Sequence, residues 1–109
     1  MKPGTGGAAR FRKALLEAAD YAMLILGEYA SQAVRGHIES IHKVKYGEIP
    51  EKPEILHDVL ESLFGSGSKA IERLIAKNLY QRLDIEFQER KEWTIVDYAE
   101  HAKKTMGTG

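Results

Sequence analysis

The 109-residue sequence contains no cysteine, which excludes disulfides, thiolate nucleophiles and Cys-based zinc or iron–sulfur sites, and leaves four histidines as the soft metal ligands. Such a chain suits a reducing compartment. No apolar run approaches the ~20 residues that a bilayer crossing needs, the most apolar being Tyr21 to Leu26, and no secretory hydrophobic region follows Met1-Lys2-Pro3-Gly4-Thr5-Gly6-Gly7. A cytoplasmic location and no membrane partner are expected. Excess charge of one sign is missing too: sixteen Lys and Arg balance sixteen Asp and Glu, so no global field draws the protein toward phosphate backbones or anionic surfaces. Asparagine occurs once, at Asn78, and glutamine only at Gln32, Gln81 and Gln88, against abundant Glu, Lys and Arg. That bias is the one reported for heat-adapted proteins, so a thermophilic source is expected.

What remains, 43% hydrophobic and 29% charged residues, is the composition of an ordinary globular domain large enough to bury a core. There is no internal repeat, low-complexity block or long linker. Residues 8–105 are therefore expected to form a single helical domain between Gly-rich flexible tails at 1–7 and 106–109.

From Ala8 to Leu26, Phe11, Leu15, Ala18, Ala22 and Ile25 recur at helical spacing. Met23, Leu24 and Leu26 lie off that stripe, so the end of this first helix is expected to be covered on more than one side. Gly27 breaks the helix, and Ala30, Val34, Ile38 and Ile41 give a second stripe from Glu28 to about Lys45. Tyr46 to Pro53 reads as a connection, because each proline disfavours helical geometry in the residue before it. Pro53 then suits the first turn of a third helix, with Leu56, Val59, Leu60, Leu63 and Phe64 on its apolar face and Gly65 at its end. Ser68 is the expected N-cap of a fourth helix carrying Ile71, Leu74, Ile75, Leu79 and Leu83. After Asp84, Ile85 and Phe87 alternate with Glu86 and Gln88, as in an extended arm laid on the core. Thr94 and Asp97 form a capping-box pattern opening a last helix with Ile95, Tyr98, Ala99 and Ala102. The fold expected is all-α, a compact orthogonal bundle of about five helices with a short extended arm before the last.

Catalytic patterns are missing. Gly65-Ser66-Gly67-Ser68-Lys69 offers amides and a lysine, yet it follows a helix and contains no Gly-Lys pair, so it reads as a tight turn and not a phosphate loop. His37, His42, His57 and His101 lack metal-ligand spacing, and no serine sits in a nucleophile elbow. No catalytic residue, metal or cofactor is expected. Glu72, between Ile71 and Leu74, is expected at the core edge, paired with a lysine or arginine or accepting from a loop amide.

Two surfaces remain. Arg35, Lys43 and Lys45 on helix two, with Lys69, Arg73 and Lys77 at i, i+4 and i+8 on helix four, would bind nucleic acid if the two clusters faced the same way. The aromatics Tyr29, Tyr46, Tyr80 and Trp93, with Tyr98, are candidate anchors for a protein partner or a second copy.

The punctuation of the chain resembles an archaeal helical family, the Nitrosopumilus output domain, which occurs fused to response-regulator receivers and as short free-standing proteins. The residues that carry the likeness are Leu26-Gly27, Ile49-Pro50 with Pro53, Leu60-Glu61-Ser62-Leu63-Phe64-Gly65 leading into Ala70-Ile71-Glu72, and Thr94-Ile95-Val96-Asp97-Tyr98. The resemblance spans roughly residues 11–104. It implies a non-enzymatic signalling or regulatory module of archaeal origin that acts through protein contacts, and it brings no active site. This chain shows no βα repeat and no phospho-accepting Asp after a strand, so phosphorylation in cis is not expected. A regulatory protein-interaction domain is the expected function, with nucleic-acid binding through helices two and four as the alternative.

Overall fold

A computed structural model describes residues 3–107, and its regular structure is helical: α1 (Pro3–Leu26), α2 (Glu28–Ser40), α3 (Pro53–Phe64), α4 (Ser68–Leu83) and α5 (Ile95–Met106). The molecule is an all-α bundle. Two short 3-10 turns, Tyr46–Glu51 and Gly65–Gly67, lead into α3 and α4. The first helix begins inside the tail expected at 1–7, since Pro3 has the fixed φ that an opening helical turn accepts. Residues 1–2 of that tail and 108–109 of the C-terminal one lie outside the described residues.

α1 and α4 make the most extensive helix pair, and α2 and α4 each also pack on α3, so the four close into a ring that α5 caps through α1, α3 and α4. Phe11, Leu15, Ala18 and Ala22 are buried as their spacing predicts, together with Ala14, Ala19 and Met23. The fifth residue of the predicted stripe, Ile25, is exposed, because no element covers the last turns of α1 on that side. Leu24 is 82% exposed. Of the residues expected to be covered on more than one side, Met23 is buried and Leu26 packs against the core, while Leu24 and Ile25 are left uncovered within this chain.

Gly27 adopts φ 100° and ψ 169°, a region that belongs to glycine, and this single residue turns α1 into α2. α2 stops at Ser40 rather than Lys45. Beyond it Lys43 takes a left-handed φ of 58°, and the chain doubles back to bury Val44, Tyr46 and Ile49. Ile41 is left outside, 62% exposed. α3 opens on Pro53 and stops before Gly65 as expected. Ser68 is not a cap but the buried first residue of α4, because the 3-10 turn runs straight into the helix and puts Gly67 at the cap position.

Residues 85–90, the expected arm, carry no regular structure, and Ile85 and Phe87 pack on the core. The Phe87 ring stacks on Tyr98 at 5.5 Å and meets the edge of Tyr80 at the same distance. Tyr98 Oη fastens the end of the arm, accepting from the Arg90 amide at 2.8 Å and donating to the Arg90 carbonyl at 3.1 Å. The capping box of α5 is complete: Thr94 Oγ1 accepts from the Val96 amide, and the Asp97 carboxylate accepts from the Thr94 amide at 2.9 Å.

Candidate functional site

Glu72 is the one buried carboxylate among the described residues, 4% exposed. It sits where three helices meet. One oxygen accepts from the Ile95 amide at the start of α5 (2.7 Å), and the other pairs with Nδ1 of His57 on α3 (2.7 Å). A lysine or arginine, or else a loop amide, was expected as partner; the partners are instead the first amide of α5 and a histidine from another helix. Glu61 approaches the far nitrogen of the same ring at 3.8 Å. Every oxygen of Glu72 is thereby used to join helices. Among the described residues no set of three or more His, Asp or Glu side chains converges as a metal site.

The aromatic anchors separate by burial. Tyr80 is enclosed, donates to the Tyr98 carbonyl at 2.8 Å and has its hydroxyl pKa pushed up to about 12 by burial, then by neighbouring Tyr98, with Arg90 opposing. Tyr46 is also core. Its hydroxyl donates to Asp20 at 3.1 Å, and burial, followed by the Asp20 charge and that hydrogen bond, raises its pKa well above 10, with Arg35 opposing. Neither tyrosine can reach a partner, since each ring fills the interior. Tyr98 is buried as well, and Trp93 is half-buried against Tyr98 and His101. Tyr29 alone projects, 91% exposed.

Around Tyr29 lies the largest departure from the sequence expectations. Of the large apolar side chains that stay exposed, Tyr21, Leu24, Ile25 and Tyr29 all fall on the last turns of α1 and the first turn of α2, and Ile41 lies past the far end of α2. Tyr21, Leu24 and Ile25 stand at i, i+3 and i+4, so they share one face. A hollow of about 470 Å³ beside them is lined by Met23, Leu24, Gly27 and Ser31, with Asp20, Glu28 and Arg35 around it. Periodicity could mark these residues as apolar but not as uncovered.

The six basic residues also divide. α2 and α4 make no direct contact, and Lys43 and Lys45 lie beyond the end of α2. Arg35 is engaged at the surface, bonded to Asp20 at 3.1 Å with its guanidinium 4.1 Å from the centre of the Tyr46 ring. Lys69, Arg73 and Lys77 do come together. They line a trough between α4 and the arm, made of three adjoining open hollows that share Leu74, Lys77 and Phe87 at one junction and Arg73 and Glu89 at the next. Arg90 and Lys91 complete its basic end and were missed by sequence reasoning. The alternation seen at Ile85 and Phe87 continues to Glu89 and Lys91 on the trough side, and Asp84, Glu86 and Gln88 line the hollow on the α5 side. That continuation was the available signal for Lys91, whereas Arg90, on the other parity, borders both hollows.

No helix among the described residues is long and apolar enough to cross a membrane. Comparison with known proteins finds no matching family model, no similar curated protein and no similar solved structure.

Proposed function

We propose that the chain is a non-enzymatic regulatory domain that binds another protein through the apolar corner between α1 and α2. One observation carries the proposal: four large apolar side chains, Tyr21, Leu24, Ile25 and Tyr29, stay exposed within nine consecutive residues of a domain that otherwise buries its core well. Exposing apolar side chains costs about 25 cal/mol per Å² that burial would recover, so a concentration of them marks an interaction surface. The hollow beside Leu24 offers a pocket for an apolar anchor, and Asp20, Glu28 and Arg35 supply the polar rim that interfaces carry. The resemblance in helix punctuation to the archaeal output-domain family agrees with a regulatory role.

The test compares the native chain with a Leu24→Glu, Tyr29→Glu double variant, both immobilised and exposed to extract of the source cells, with sedimentation velocity on each alone. A discrete protein, or a second copy of the chain, that associates with the native form and is lost from the variant at unchanged circular dichroism is the expected result. Identical associations for both forms, or none for either, would overturn the proposal.

A further inference from the structure

We infer that the trough between α4 and the arm is a second docking site, which adjoins the α1–α2 corner only at Tyr21, and that it takes an acidic, apolar-punctuated segment of a partner protein. Charge complementarity chooses the occupant. In a chain with no net charge, five cations line the trough, Lys69, Arg73, Lys77, Arg90 and Lys91, against a single carboxylate, Glu89. Lys69, Lys77 and Lys91 make no ion pair among the described residues. On α4 the cations advance about 6 Å per step of four residues, close to the repeat of acidic side chains at i, i+4 on a helix or i, i+2 on a strand.

Glu89 shows the chemistry in miniature. It reaches from the arm to Arg73 at 3.0 Å, a carboxylate already occupying the middle of the trough. At the end of the trough beyond Lys77, Tyr21, Leu74, Ile85 and Phe87 line an open hollow of about 370 Å³ that fits an apolar side chain. A single nucleic-acid strand held by base stacking would instead need bare aromatic faces. The aromatics here are spoken for: Phe87 stacks on Tyr98, and the Arg90 guanidinium lies over the Trp93 ring at 5.1 Å.

The experiment titrates the full chain into a short fluorescein-labelled peptide of Glu, Asp, Leu and Phe, into its Gln and Asn counterpart, and into labelled oligothymidylate, reading anisotropy at low and physiological salt. The acidic peptide should bind, weaken as salt rises and be preferred over both controls. Arg73→Glu with Lys77→Glu should weaken it about tenfold or more, whereas Glu89→Gln, which frees Arg73, should tighten it. The Leu24→Glu, Tyr29→Glu variant should bind it unchanged, which separates this site from the corner. These substitutions lie on the surface, and an unaltered melting temperature verifies the fold. Failure of the acidic peptide to bind, equal binding of the neutral one, or tighter binding of oligothymidylate would each overturn the inference.

Discussion

Removing the Glu72 carboxylate strands two groups at once, the Ile95 amide at the start of α5 and the His57 ring on α3. A buried donor left without its acceptor costs about 1–3 kcal/mol, so Glu72→Ala is expected to destabilise the fold by roughly 2–4 kcal/mol. Glu72→Gln should cost less, because its amide oxygen still accepts from Ile95. Urea unfolding of both variants checks the order, and equal losses would mean that packing at this position outweighs the hydrogen bonds. The sequence made Glu72 conspicuous by placing it between apolar neighbours. It could not supply His57, fifteen residues away on another helix, because that pairing exists only once α3 and α4 have packed.

Two glycines on neighbouring stretches of chain carry opposite expectations. An added Cβ would meet nothing within 4 Å at either Gly27 or Gly36, so sterics with the rest of the protein do not separate them. Backbone conformation does. Gly27→Ala would force a residue with a side chain into φ 100°, ψ 169°, at a cost of about 1–3 kcal/mol. Gly36→Ala, at an exposed position within α2, should stabilise by about 0.5–1 kcal/mol through helix propensity and a less disordered unfolded chain. Thermal melts of the pair should therefore move in opposite directions.

Local signals in the sequence placed several of the helix ends. Pro53, Gly65, Thr94 and Asp97 fixed where helices begin and end, since each acts within one turn of itself. The path after Ser40 was not legible, because Val44 and Tyr46 leave the helix to reach a core that other elements build. The same holds for the surfaces. Lys69, Arg73 and Lys77 could be read as one stripe from their spacing, while Arg90 and Lys91 join them only because Tyr98 fastens the arm beside α4.

For the molecule as a whole, the two buried tyrosines set an alkaline limit. The hydroxyls of Tyr46 and Tyr80 ionise near pH 10 in an unfolded chain, but in the folded protein Tyr80 is pushed up to about 12 and Tyr46 higher still. The folded state holds these protons when the unfolded state has lost them, so the contribution is complete below pH 10 and declines as pH climbs toward 12. Melting temperature should therefore fall steadily across that window, and the fall should be shallower in Tyr46→Phe and Tyr80→Phe. A slope unaffected by either substitution would place the alkaline sensitivity elsewhere.

The pairing of α1 with α4 also governs how the chain finds its shape. Its cross-links span long stretches: Arg10 reaches the Leu83 carbonyl across 73 residues, and Arg82 reaches Glu17 across 65. The α3–α4 hairpin can assemble from neighbours in sequence, yet the apolar stripe of α1 finds its principal cover only after most of the chain has been drawn into a loop. Closing that loop spends entropy before any contact repays it. The high contact order of this pair slows folding relative to a bundle whose helices pack in simple succession, and during that interval α1 is an amphipathic helix without its principal neighbour.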